Sequence, residues 1–300
     1  MAGSRHPFLA RDAREYFDDA RPRGDRDPFA EPLELDEPCE GARERVAHLV
    51  ESIEADIIPR LVSAHRAAAG KPAPVVRRRP NVEDVAELAR IAVEGDAAAT
   101  LAYIDAVRAR GVDVESTFLE LLAPAARYLG ELWVADLCNF SEVTLGLCRL
   151  QQSMRELAPA FRENAAAPRG DRRILLAAAP GEQHTFGVYM VGEFFRRAGW
   201  DVFDGPLDRE TDVLRLVAHE WFAVIGFSVA GETKIDALAS CIRGVRRTSR
   251  NDAVGVLVGG PMIVAQPELV ETLGADATAA DGREACRCAE RWLASLRRPT

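Results

Sequence analysis

The chain is poor in the features that would send it to a membrane or out of the cell. Its longest apolar runs are short pieces such as Ile174 to Pro180 and Ala223 to Phe227, far below the roughly 20 residues a membrane span needs. The opening MAGSRHPFLARD has no apolar stretch before its first acid, so a secretory signal is not expected and the cytoplasm is the expected location. Cysteine is sparse. Cys39, Cys138, Cys148, Cys241, Cys286 and Cys288 are scattered, and their one close pair, Cys286-Arg287-Cys288, lacks zinc or thioredoxin-type spacing. Reduced thiols are the reading. Positive charge is in deficit, with 38 Lys and Arg against 47 Asp and Glu. A formal charge of -9 excludes general binding to nucleic acid, whose phosphates demand a basic surface. No helix-turn-helix or zinc-finger pattern stands out, so no direct DNA-binding motif is read. The chain also lacks a Gly-x-Gly-x-x-Gly phosphate cradle, which disfavours a generic oxidoreductase.

What remains is a globular composition, 48% apolar and 28% charged over 300 residues, enough for two domains. Residues 1–40 hold eleven acids, six arginines and five prolines, and read as a disordered acidic leader. Residues 41–69 carry Val46, Leu49, Val50, Ile53, Ile57, Leu61 and Val62 at helical spacing, which predicts one amphipathic helix. The breaker-rich 70–80 stretch reads as a linker, its Arg77-Arg78-Arg79 run a solvated hinge or a contact for an acidic partner.

Residues 81–163 predict a four-helix bundle. Asn81 and Asp113 are candidate N-caps, Gly95 and Gly111 are stops, and Pro124 is a candidate kink in the third helix. After a second linker, the period changes over 172–299. ILLAAAP, DVFDGP, AVIGFSVA, VGVLVGG and ADATAAD are five candidate strands, each followed by a helical segment. The predicted fold class is thus multidomain, α then α/β: a helical bundle followed by a doubly wound, Rossmann-like parallel sheet. Ligands of such sheets lie at the carboxyl ends of the strands.

The loop after the first strand, Gly181-Glu182-Gln183-His184-Thr185-Phe186-Gly187, sets a histidine at that edge with a glycine three residues later. Ser228 and the pair Gly259-Gly260 end the third and fourth strands, where small or hydroxyl residues leave room for a ligand. In that order these three elements resemble the cobalamin-binding domain of corrinoid enzymes and regulators, whose loops carry Asp-x-His-x-x-Gly, Ser-x-Leu and Gly-Gly. The resemblance implies that His184 coordinates cobalt in place of the cofactor's own base and that Glu182 holds the other ring nitrogen. It further implies that Ser228 bonds the buried base while Gly187, Gly259 and Gly260 clear its path. Glu182 stands where Asp is usual and Ala230 where Leu is usual. The longer acid is expected to displace the contact with the His184 ring.

The bundle resembles the cap of light-sensing cobalamin regulators, in which a Trp is followed about ten residues later by Glu-His. Here Trp133 and Glu142 match, with Val143 in the His position. Trp133 either covers the upper cobalt face or is bundle core. Longer segments, among them Ile58 to Arg66, Gly130 to Trp133, Glu193 to Trp200 and Gly274 to Thr278, resemble the AerR/PpaA family of photosynthesis-gene regulators. That resemblance implies cobalamin used for sensing rather than catalysis, light response, and antirepressor action on a DNA-binding repressor of the CrtJ/PpsR type. Two alternatives share the fold: a corrinoid carrier of a methyltransferase system, and a sensor holding haem, for which imidazole is also a ligand. His219 reads as structural, and His48 and His65 as surface or partner-facing.

Overall fold

The computed structural model describes residues 78–163, 165–167 and 170–296. The leader, the 41–69 helix, most of the 70–80 linker, His48, His65 and Cys39 lie outside the described residues.

Helix α1 (Val82–Glu94) starts at a reciprocal cap: the Asn81 side chain accepts from the Asp84 N–H at 2.7 Å, and the Asp84 carboxylate accepts from the Asn81 N–H at 2.9 Å. Asp96 caps α2 (Ala97–Ala109), and Asp113 caps α3 (Val114–Ser116) as the sequence predicts. The kink expected at Pro124 takes another form. From α3 the chain runs through a π-helical stretch, Thr117–Leu122, into α4 (Ala123–Val134), and the Ala123 N–H donates to the Phe118 carbonyl five residues back. Proline lacks an N–H and crowds the carbonyl four residues before it. The wider turn relieves that conflict while the helix continues. A second reciprocal cap, Asn139 with Glu142, starts α5 (Phe140–Phe161).

Leu88, Ile104, Phe118, Leu121, Leu122, Leu129 and Leu150 are fully buried where these helices meet. A Cβ on Gly146 of α5 would come within 3.0 Å of the Leu129 side chain, so glycine permits the α4–α5 approach. Arg149 donates to the carbonyls of Ala92 and Val93 at 2.8 and 2.9 Å and so satisfies the open end of α1.

The α/β part alternates β1 (Arg173–Ala178), α6 (Phe186–Arg197), β2 (Asp201–Phe203), α7 (Glu210–His219), β3 (Val224–Ser228), α8 (Ile235–Thr248) and β4 (Gly255–Gly259). Two short helices, α9 (Pro261–Ala265) and α10 (Leu269–Leu273), lead to β5 (Ala277–Ala279) and α11 (Gly282–Leu296). All five strands are parallel, in the order β2-β1-β3-β4-β5, and each lies within a run that the sequence marks as strand, save that β1 starts one residue early, at Arg173. One apolar layer joins the sheet to α7 and α8 through Val213, Val217, Leu238 and Ile242. The other joins it to α6 and α11 through Val188, Phe195, Ala289 and Leu293.

Helix α6 is apolar on two sides. Val188 and Phe195 face the sheet, whereas Met190 and Phe194, with Phe186 and Tyr189, belong to the bundle's own core. Phe194 packs edge-on against Phe161 with ring centroids 4.8 Å apart, and Phe161 stacks on Phe118 at 4.5 Å. A Cβ on Gly282 would lie 2.6 Å from the Phe194 ring, so the start of α11 has no room for a side chain. Charges close the rim: Glu115 accepts from Arg197 at 3.0 Å and from Arg283 at 2.5 Å, and Arg162 meets Glu193 at 3.0 Å.

Among the described residues no helix is long and apolar enough to cross a membrane. The described cysteines are all free thiols. Burial, aided by nearby carboxylates, pushes Cys241 and Cys286 up to about 12, so neither is a reactive thiolate.

Phe194→Ala should leave a cavity at the seam between bundle and sheet and cost about 3–5 kcal/mol in denaturant unfolding. Hydrogen exchange should show α5 and α6 opening first.

Candidate functional site

In the strand order β2-β1-β3-β4-β5 the direction of winding reverses between β1 and β3, and the loops leaving those two strands diverge there. A crevice at the carboxyl ends of the strands opens at such a point. His184 follows β1, and Ser228 and Gly259 sit level with each other at the ends of β3 and β4.

Three ties shape the β1 loop. The Ala179 N–H donates to the Ser228 carbonyl at 2.8 Å, the Gly181 N–H to the Asp208 carbonyl at 3.0 Å, and the Glu182 N–H back to the Ala179 carbonyl at 2.8 Å. Gly181 has φ +73°, a left-handed turn that a side chain would strain. The chain thereby turns Glu182 inward and His184 outward. The Glu182 side chain is 4% exposed and that of His184 66%.

Glu182 uses both oxygens. Oε1 lies 2.5 Å from His184 Nδ1 and accepts from the backbone N–H groups of Gln183 and His184 at 2.9 and 3.1 Å. Oε2 accepts from the N–H groups of Ala230 and Gly231 at 3.1 and 3.3 Å. The expectation that a glutamate would displace the ring contact is therefore corrected. Its extra methylene lets one carboxylate reach the imidazole and the β3 loop together. Burial acts to raise the Glu182 carboxyl, but the donors from the His184 side chain, the His184 backbone and Ala230 outweigh it and hold the acid below its ordinary range. With Nδ1–H given to Glu182, Nε2 of a neutral His184 presents its lone pair outward.

The Ser228 hydroxyl has no hydrogen-bond partner among the described residues. Its Oγ lies 3.8 Å from where a Cβ on Gly187 would sit and 3.1 Å from the equivalent point on Gly260. Space beside a free hydroxyl is thus kept open by Gly187. Gly259 and Gly260 answer to a nearer constraint. A Cβ on Gly260, at φ +101°, would fall 2.4 Å from the Val229 carbonyl, and one on Gly259 3.1 Å from that of Ala279. Gly260 is thus required by the backbone itself, whatever ligand is present, while a side chain at Gly259 would ask the Ala279 carbonyl to give by a few tenths of an ångström.

The bundle residues fall differently. Trp133 is 48% exposed, so the core alternative for it is set aside. Val134, Leu137, Phe140 and Leu145, around the turn between α4 and α5, are exposed as well. Glu142 is engaged at the start of α5, where its Oε2 accepts from the Asn139 N–H at 2.8 Å. His219 stands apart, its Nδ1 2.8 Å from the Arg215 carbonyl. Lys234, which sequence reasoning passed over, lies against Gly181; only the folded loop reveals that proximity.

Among the described residues no three His, Cys, Asp or Glu side chains converge as a metal site. A metal ligated by His184 must bring most of its own ligands, as the cobalt of a corrin does. One exposed imidazole backed by a buried acid, beside a free hydroxyl facing a glycine, fits such a group.

The comparisons agree. The B12 binding domain family matches residues 172–289, and cobalamin is the cofactor. An uncharacterized 20.5 kDa protein of the bchF-crtJ intergenic region of Rhodobacter capsulatus is 27% identical over 172 residues, spanning 57% of this chain and 89% of its own length. This relative supports the AerR/PpaA resemblance drawn from the sequence. The fold is similar to that of the Methanosarcina barkeri monomethylamine corrinoid protein, with a TM-score of 0.60 at 20% identity, over 71% of this chain and 99% of that one.

Glu182→Gln should lower stability by on the order of 2 kcal/mol at pH 7, because charge-assisted bonds to a buried carboxylate are lost. A carboxyl depressed on folding stabilises above its unfolded value, about 4.3, and loses that contribution as pH falls through the lower folded value. Thermal unfolding curves of wild type and Glu182→Gln should therefore differ at pH 7 and converge in acid.

Proposed function

We propose that this protein is a cobalamin-dependent, light-responsive transcriptional regulator, an antirepressor acting through a DNA-binding repressor of the CrtJ/PpsR type. The observation that carries the reading is the conjunction of a B12 binding domain with a relative from the bchF-crtJ intergenic region. A net charge of -9 favours control through a protein partner over direct contact with DNA.

In this reading His184 gives Nε2 to cobalt while Glu182 fixes the tautomer and the ring orientation. Ser228 bonds the cofactor's displaced base beside Gly187, with Gly259 and Gly260 shaping the loops around it. Trp133 would cover the group from the bundle side and shed water from it, and Glu142 holds the start of α5 after the turn that follows Trp133. Bound cobalamin supplies a visible chromophore and a cobalt whose upper ligand light can exchange. The chain's own part is to carry the change outward. Helix α6 begins two residues after His184, and its Phe186 and Tyr189 pack into the bundle core. Movement at the His184 loop thus reaches the bundle by direct packing, as a two-state switch requires. Residues 1–80 are the proposed repressor contact, and no catalytic residue is assigned.

A second reading, a corrinoid carrier for a methyltransferase, is favoured by the likeness in fold to a corrinoid protein. It keeps the same roles for His184 and Glu182 but needs no light response.

Purified protein mixed with adenosyl-, methyl- or hydroxocobalamin is expected to retain a corrinoid whose spectrum changes under blue-green light, with repressor binding changing in step. His184→Ala should lose the light-dependent change, and a chain lacking residues 1–80 should lose the repressor. Methyl transfer from the loaded protein in the dark, with no response to light, would select the carrier.

A further inference from the structure

The β3 loop brings a cation to the ligand edge. After Ser228 it passes through Ala230 and Gly231, both pinned to Glu182, and closes in a 3₁₀ turn, Glu232–Lys234. The Lys234 N–H donates to the Gly231 carbonyl at 3.1 Å and fixes that turn. Its ammonium Nζ lies 3.4 Å from where a Cβ on Gly181 would sit, against the loop that leads to His184. Gly181 is held there by its left-handed φ and by its bond to Asp208, so the contact is between two fixed loops.

Among the described residues the Lys234 ammonium has neither a hydrogen bond nor a carboxylate within ion-pair distance. The acids of the adjoining segments leave it free: Glu182 serves His184 and the loop, Glu210 accepts from Ser240 at 3.3 Å, and Asp208, Glu232 and Asp236 make no ion pair with it. Lys234 is half-buried, and a cation without a partner is stabilised by an anion brought to it. In a chain of net charge -9 this is no general basic surface. The periphery of a cobalamin carries neutral carboxamides. Its one anionic group outside the cobalt-bound ring is the phosphodiester of the nucleotide loop, which lies between the corrin and the base.

We infer that Lys234 is a specificity-determining residue that receives this phosphodiester, so that the site prefers complete cobalamins to corrinoids lacking the nucleotide. The inference rests on cobalamin occupying the site described above. Ser228 and Lys234 then divide the nucleotide between them, the hydroxyl taking the base and the ammonium the phosphate.

The test is equilibrium titration, followed by absorbance, of the full-length chain with hydroxocobalamin and with cobinamide, which has neither phosphodiester nor base. Lys234→Met should weaken cobalamin binding about tenfold, leave cobinamide binding unchanged, and flatten the salt dependence of the cobalamin affinity. Lys234→Arg, which keeps the charge, should restore most of the loss. Equal weakening toward both corrinoids would make Lys234 a prop of the loop and overturn the proposal, as would no weakening toward either. A wild-type chain that binds neither corrinoid removes the cobalamin reading itself, a different failure from the other two.

Discussion

Glu182 is the acid around which the ligand edge is built. One oxygen meets the His184 ring and two backbone N–H groups of its own loop, and the other takes two N–H groups of the β3 loop. The group is buried, so each of these donors counts. Once out of water, a carboxylate is tolerated only when its lone pairs are filled, and losing one partner strands a charge. The same arrangement that stabilises the acid therefore holds the two sides of the crevice together and sets the one ring nitrogen that faces outward. Structure and ligand chemistry depend on a single side chain.

The second constraint is that α6 belongs to two cores. Phe195 is packed under the sheet and Phe194 under the bundle, with the Glu115 ion pairs to Arg197 and Arg283 at the rim. A helix buried on both sides cannot shift without repacking one of them, since protein interiors are dense. This is what makes the His184 loop, directly before α6, mechanically continuous with the bundle.

Much of this was legible in the sequence. Strands buried on both faces read as short, nearly continuous apolar runs, as β1, β3 and β4 do, and their alternation with helical segments marks the parallel sheet, whereas the edge strands β2 and β5 are short and have no buried residue. Asn81 and Asp113 announce helix starts because capping is local chemistry. His184, Ser228 and Gly259-Gly260 are recognisable because fold rules place ligands at strand ends. What could not be read depends on contacts distant along the chain. The reach of Glu182 to Ala230 spans 48 residues, and the space that excludes a side chain at Gly260 is made by Val229. Pro124 signals a disturbance but not whether the helix breaks or widens. Trp133 has the spacing of a core residue, and only the packed bundle leaves it half exposed. Lys234 has no motif at all; its place beside Gly181 follows from the turn that Glu182 anchors.

The most direct test of the account is electron paramagnetic resonance of the Co(II) form bound to protein carrying ¹⁵N-histidine. If His184 is the axial ligand, one nitrogen splits the cobalt lines into triplets that become doublets on labelling, and His184→Ala abolishes the change. Triplets that persist unaltered in labelled protein would mean that the cofactor's own base still ligates the metal, and the role given to His184 and Glu182 would be wrong.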